Sequence, residues 1–151
     1  MLDDLDRRIL RNWQSDPGLT PIELAERCAT TTGKAARRIT RMQETGVIAG
    51  VRAVIDWTAL GYSVEVSLRV TLDKTQSSAF DDFIEAARGV PEVTEIQTFL
   101  GRVDVRLNII ARDMAHYQDI YRKRILILPH IADIEALMQI AQIKAEEILP
   151  L

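Results

Sequence analysis

The chain has 151 residues, 47% apolar and 27% charged, with a formal net charge of -3. That is globular composition, sized for one ordinary domain or two small ones, and no apolar run approaches the ~20 residues needed to span a bilayer. The single cysteine, Cys28, excludes an internal disulfide framework and fits a reducing compartment, and the opening MLDDLDRRIL lacks the apolar core of a signal peptide, so a cytoplasmic location is expected.

Charge is unevenly divided. Residues 1–52 hold 9 Lys/Arg against 7 Asp/Glu, whereas residues 53–151 hold 10 against 15. An N-terminal part that meets an anion and a C-terminal part that does not is the simplest reading.

Leu2, Leu5, Ile9 and Trp13 recur at helical spacing, with Asp3, Asp4, Arg7, Arg8 and Arg11 on the other face, which predicts an amphipathic first helix. Asp16-Pro17-Gly18 ends it. Thr20, Pro21 and Glu23 have the spacing of a capping box with proline in the first turn; Ile22, Leu24, Ala25 and Cys28 form the apolar face of a second helix. Thr31 is the expected cap of a third helix. Ala35, Ile39 and Met42 face inward in it, and Gly46 closes it. No acidic residue lies between Arg27 and Glu44.

A short helix, a tight turn and a cationic second helix make a helix-turn-helix pattern. A helix entering the major groove needs small or polar residues at its leading end and cations along its flanks. Gly33, Lys34 and Ala35 at the leading end allow close approach, with Thr31 and Thr32 before them as further candidates, and Lys34, Arg37, Arg38 and Arg41 supply the flanking cations. Double-stranded DNA is therefore the expected partner. Arg38 is also within reach of an internal acid such as Asp6.

VIAGVRAVI, residues 47–55, contains the strand formers Val47, Val51 and Val54 and predicts an extended strand linker; DWTALG, residues 56–61, predicts a loop or single turn. From Tyr62 apolar residues alternate through Leu72, a half-buried antiparallel strand. Residues 76–88 predict a helix with Phe80, Phe83, Ile84 and Ala87 inward. Residues 95–101 and 103–110 form a hairpin, Asp113 caps another helix running to Pro129, and residues 131–143 form the last strand. Strand, helix, strand, strand, helix, strand is the split βαββαβ arrangement, so the fold class is α+β with a ferredoxin-like second domain. The segments VRLNII and IEALMQIAQI suggest an apolar uncovered sheet face, and Leu107 and Ile109, with Val103 and Val105, are expected to meet a second subunit there.

Taken together, these residues resemble the Lrp/AsnC, or feast/famine, transcriptional regulators. The likeness runs collinearly through Leu2-Asp3, Leu5-Asp6 and Ile9-Leu10, then Glu23-Leu24-Ala25, and the run from Arg37 to Gly50. It continues through Ala53, Asp56, Leu60-Gly61, the VPEV of residues 90–93 and the GxxD turn of Gly101 and Asp104. Asp113-Met114 with Tyr117, Leu128-Pro129, Lys144 and Leu149-Pro150 complete it. The resemblance implies a helix-turn-helix DNA-binding domain over residues 1–46 (winged or simple), a linker over residues 47–61 and a RAM domain (regulation of amino-acid metabolism) over residues 62–151. It further implies a homodimer, often assembled to an octamer, that binds promoter or operator DNA and responds to a small-molecule effector, an amino acid or a related metabolite. That effector would sit near the GxxD turn, where Gly101 lets backbone N–H groups approach a carboxylate and Asp104 accepts from an ammonium; Leu100, Arg102 and Val103 neighbour it. Three positions depart from the family. Ile134 and Ala136 stand where threonines are common on the last strand, Val105 where an aromatic follows the GxxD aspartate, and Thr30-Thr31 where Leu-Ser is common. The first two departures point to a more apolar effector, or to none.

An architectural DNA-binding protein without an effector and a regulatory subunit of an enzyme are the rival readings. No cofactor or metal is expected: His116 and His130 lack ligand spacing, and no nucleophile elbow, phosphate loop or carboxylate pair is present, so the chain does not read as an enzyme.

Overall fold

The computed structural model describes residues 1–145 and 148–151. The chain forms two compact units, one from Met1–Val54 together with Lys144–Leu151, the other from Ile55–Ile143.

The first unit is a three-helix cluster of α1 (Asp4–Ser15), α2 (Pro21–Arg27) and α3 (Thr32–Glu44). The helix starts follow from local chemistry. Asp3 and Asp6 form a reciprocal capping box at α1, as do Thr20 and Glu23 at α2, and the Thr31 side chain accepts from the Lys34 N–H at α3. Gly46, at φ +74°, closes α3 as expected. Leu5, Ile9, Leu24, Ala25, Cys28, Ala35 and Met42 are buried between the helices, each at a position the 3.6-residue period brings inward. Cys28 is thus a small core residue. Ile22, expected on the inner face of α2, is instead 61% exposed, since the turn after Pro21 points it away from Leu24 and Ala25.

Leu149 exchanges two hydrogen bonds with the Gln14 side chain, 2.8 and 2.9 Å, and Arg11 Nε donates to the Leu151 carbonyl at 2.6 Å. These contacts tie the described residues of the tail to the helical unit.

The second unit runs β1 (Val64–Leu72), α4 (Ala79–Arg88), β2 (Val93–Thr98), β3 (Val105–Ala111), α5 (Met114–Ile120), a wider helical turn over Tyr121–Ile125, and β4 (Ile131–Met138). The strands form one antiparallel sheet in the order β2-β3-β1-β4, the expected ferredoxin-like topology. Its core joins one face of β1 and β3 to Phe83 and Ala87 of α4 and to Tyr117, Ile120, Ile125 and Leu128. Phe80 lies outside that core at 41% exposure.

Three expectations require correction here. Residues 47–61 contain no paired strand, only a single 3-10 turn at Thr58–Leu60; Val47, Val51 and Val54 are exposed and have no neighbouring strand to complete a ladder. β4 ends at Met138, opposite Val66, rather than running to residue 143; its last bond to β1 is from the Gln139 N–H to the Glu65 carbonyl at 2.9 Å, near the start of β1. Finally, Leu107, Ile109 and Val105 face the helices and are fully buried within the chain, so they cannot meet a second subunit. The opposite sheet face is mostly polar, with Ile110 and Leu137 as apolar members. Glu65, Ser67, Arg69 and Thr71 of β1 alternate with the buried set, and Arg106 and Asn108 of β3 and Glu135 of β4 share their side through the register. Hydrogen bonds and ion pairs tie this face, including Asn108 to Glu65 at 2.7 Å and Arg106 to Glu95 at 3.2 Å.

Candidate nucleic-acid interface and effector groove

The turn between α2 and α3 spans four residues. The Ala29 N–H donates to Glu26 and the Thr30 N–H to Ala25, a Schellman pair that reverses the chain with Ala29 at φ +50°. α3 then starts with Thr31, Thr32, Gly33 and Lys34 all exposed, and no Cβ added at Gly33 would meet another atom. Its thirteen residues extend about 20 Å. Ala36, Arg37 and Thr40 share the exposed side with Thr32 and Gly33. Ala36 and Thr40 were not singled out from the sequence, although their i, i+4, i+8 spacing from Thr32 carried that signal.

The four cations of α3 divide into two pairs. Lys34 and Arg37 are exposed and form no ion pair among the described residues. Arg38 Nη1 meets Asp3 Oδ2 at 2.6 Å and Asp6 Oδ1 at 3.1 Å, and Arg41 Nη2 donates to Asp6 Oδ2. Asp6 has no exposed surface at all. A carboxylate so desolvated needs cationic donors, and it draws them from α3. The expected internal pairing of Arg38 with Asp6 is thus present, and Arg41 shares the same acid. The Asp3 carboxyl is held below its ordinary value chiefly by the Asp6 N–H, with Arg38 contributing, and the Arg38 guanidinium is pushed up chiefly by its bond to Asp3. These contacts fix the azimuth of α3 against the start of α1, which sets where Lys34 and Arg37 point.

In the second unit, the turn between β2 and β3 is held from below. The Phe99 N–H donates to the Asp104 carbonyl at 2.9 Å, the Asp104 N–H to Val70 at 3.0 Å, and the Thr71 hydroxyl to the Arg102 carbonyl at 3.0 Å. Gly101 sits at φ +149°, a conformation side chains disfavour, with open space where a Cβ would point. Leu100, Gly101, Arg102 and Val103 line an open groove of about 400 Å³ together with Phe99, Arg69 and Arg106. Arg69 and Arg106 were missed by sequence reasoning; only the register, which sets them directly opposite each other, brings them there.

The structure does not bring the remaining effector candidates into this groove. Asp104 is 7% exposed; its Oδ2 accepts the Leu72 N–H at 2.8 Å and its Oδ1 meets Lys74 Nζ at 2.7 Å. It anchors the turn, and its carboxylate is committed to those partners. Ile134 and Ala136 lie opposite Val70 and Leu68, on the helix-covered side of the sheet, so their lack of hydroxyls does not bear on the groove.

Asp104 yields an expected pH dependence. Burial pushes its carboxyl up, but the bond to Lys74, the Leu72 N–H and the Lys74 charge outweigh burial and leave it below its ordinary value. A depressed folded value means stability that is present above the unfolded value and lost as pH falls through the folded one. Asp104→Asn should therefore cost about 1 kcal/mol at neutral pH, with Lys74 largely solvated. The gap from wild type should close in the acid range, below about pH 4. Urea titrations at a series of pH values check this; a gap that persists unchanged into acid would show that the charge contributes nothing.

Among the described residues, no group of three metal-ligating side chains occurs and no helix is long and apolar enough to cross a membrane. His130 bonds Asp82 at 3.0 Å, and His116 Nδ1 accepts the Arg112 N–H at 3.1 Å.

Comparison with known proteins agrees with both halves of this description. A sequence profile described as the Lrp/AsnC ligand-binding domain matches residues 65–149, and one described as a winged helix-turn-helix DNA-binding domain matches residues 2–49. The proline dehydrogenase transcriptional activator of Rhodobacter capsulatus is 33% identical over 132 residues, covering 87% of this chain and 86% of that protein. The solved AsnC-family regulator of Agrobacterium tumefaciens is 32% identical with a TM-score of 0.90, over 99% of this chain and 97% of that one. A regulator of Neisseria meningitidis, solved as a complex with L-Met, is 25% identical with a TM-score of 0.92 over the same shares. The chain belongs to the Lrp/AsnC family of transcriptional regulators, with a DNA-binding helix-turn-helix unit and a ligand-binding domain.

Proposed function

We propose that this regulator works in the cytoplasm by laying the leading half of α3 into the major groove of its operator. In this reading Thr31, Thr32, Gly33, Ala36 and Thr40 approach the bases, while Lys34 and Arg37 hold the phosphates. Arg38 and Arg41 keep the helix on Asp6, with Arg41, half exposed, adding a flanking contact. The observation that carries this is the exposed, acid-free face of α3 on which Lys34 and Arg37 stand unpaired among the described residues.

The effector site in this reading is the groove at the Gly101 turn, reached by Leu100, Arg102 and Val103, with Asp104 acting through the turn it anchors. The Neisseria regulator solved with L-Met supports a small-molecule site in this domain. The working unit is a homodimer or a larger even assembly. Leu137 and Met138 on the edge strand β4, and Ile140 and Ile143 beyond it at 97% and 94% exposure, leave an apolar margin that a second copy would cover.

The test is fluorescence anisotropy with the protein's own upstream DNA against bulk DNA at fixed salt. A regulator should prefer its site by ~10³ or more. Equal affinity for both would replace this reading with that of an architectural DNA-binding protein.

A further inference from the structure

The groove at the Gly101 turn has a charge pattern that names its ligand. Arg69 on β1 and Arg106 on β3 are direct cross-strand partners on the uncovered sheet face. Like charges in that position repel and need an anion to hold them. The acids nearby compensate them only in part: Arg106 meets Glu95 at 3.2 Å, and Arg69 reaches Glu135 only at 3.8 Å, with all four side chains between 37% and 59% exposed. Arg102, carried on the turn itself, has no ion pair among the described residues, and no acid lines the groove. The one carboxylate that could have received an ammonium there, Asp104, is committed to Leu72 and Lys74.

A zwitterionic amino acid with a neutral side chain brings one carboxylate and one ammonium. The ammonium would enter a field of three guanidiniums with no carboxylate among the residues that line the groove. A ligand with two anionic groups would instead meet Arg102, which has no ion pair among the described residues, and Arg69, whose contact with Glu135 is only 3.8 Å. Each anionic group can take a forked pair of N–H donors from a guanidinium. Phe99 and Leu100, 46% and 106% exposed at the rim, offer apolar surface to a carbon spacer between those groups. A volume of about 400 Å³ suits a small molecule of this kind.

We infer that the groove between Arg69, Arg102 and Arg106 takes a small organic dianion, a short dicarboxylate, as the regulator's effector, in preference to a neutral amino acid. This rests on the Gly101 groove being the effector site.

The test is thermal melting and calorimetric titration of the full chain at fixed salt with succinate, 2-oxoglutarate, sulfate, leucine and methionine. Arg69→Gln and Arg102→Gln are run beside wild type; Arg102 lies in an exposed turn, so its variant folds even should Arg69→Gln be impaired. The expected result is a raised Tm and measurable binding with a dicarboxylate, none with leucine or methionine, weaker binding of sulfate, and an affinity loss of about tenfold or more in each variant. Leucine or methionine binding as tightly as the dicarboxylates, sulfate matching them, or dicarboxylate affinity unchanged in both variants would overturn the inference. A neutral amino acid that binds and is lost in Gly101→Val would do so while leaving the groove as the effector site. No response to any compound would overturn both.

Discussion

Replacing Ile109 with Asp should unfold the second unit. Ile109 is fully buried at the middle of β3, opposite Val66 and Val93, with its side chain in the core under α4 and α5. The change forfeits about 2–3 kcal/mol of apolar transfer and adds several more for a carboxyl without partners. A sum above about 5 kcal/mol consumes most of what a small unit possesses. Circular dichroism and urea unfolding read the loss. Leu137→Asp is the control for the other face: Leu137 lies opposite Ser67 on the uncovered face of the edge strand, 37% exposed, so within the subunit it should cost under about 1 kcal/mol, its larger effect falling on assembly. Equal damage from both would contradict the assignment of the two sheet faces.

The second large effect is expected at Asp6. Asp6→Ala removes the acceptor that Arg38 and Arg41 share and the side chain that caps the Asp3 N–H at 3.0 Å. Removing one member of a buried ionic cluster costs about 3–5 kcal/mol. The lower end applies here, because Arg38 keeps Asp3 and Arg41 is half solvated. Denaturation of the first unit, followed through Trp13 fluorescence in a Trp57→Phe background, should show an early transition of about 3 kcal/mol while the sheet unit melts normally. DNA affinity should fall as well, even though the variant gains a charge of the sign that DNA attracts. Arg41→Ala should be much milder, under about 1 kcal/mol, as expected of a half-exposed partner. A stable Asp6→Ala variant with undiminished DNA affinity would mean that the cluster does not position α3.

The parts of this fold that were legible in the sequence are those governed by neighbours along the chain. Thr20 with Glu23, Thr31, Gly46 and Asp113 each act within four residues, and each caps or closes its helix as expected. The inward faces of α1 and α3 and the alternation of β1 follow the same logic. What was not legible depends on contacts between distant residues. Nothing local says that Arg41 answers to Asp6, thirty-five positions away, or that Asp104 is already taken by Lys74. VRLNII carries apolar residues on both faces, as expected, but unequally: Val105, Leu107 and Ile109 point to the core, and Ile110 alone joins Arg106 and Asn108 on the open face. Ile134 and Ala136 were set beside the effector by analogy, whereas the β1–β4 register turns them to the covered side. The same register places Arg69 against Arg106, which no spacing within either strand could reveal.

The salt dependence of binding tests most directly whether α3 is the DNA-contacting helix. Affinity for upstream DNA is measured from low to moderate salt for wild type, Lys34→Ala and Arg37→Ala, with circular dichroism confirming the fold. Removing a side chain that holds a phosphate should weaken binding and reduce the slope of log K against log salt by ~0.9. Both variants are expected to show this, since neither side chain is engaged within the described structure. Unchanged affinity and slope in both would contradict the assignment and move the DNA-binding surface off this helix.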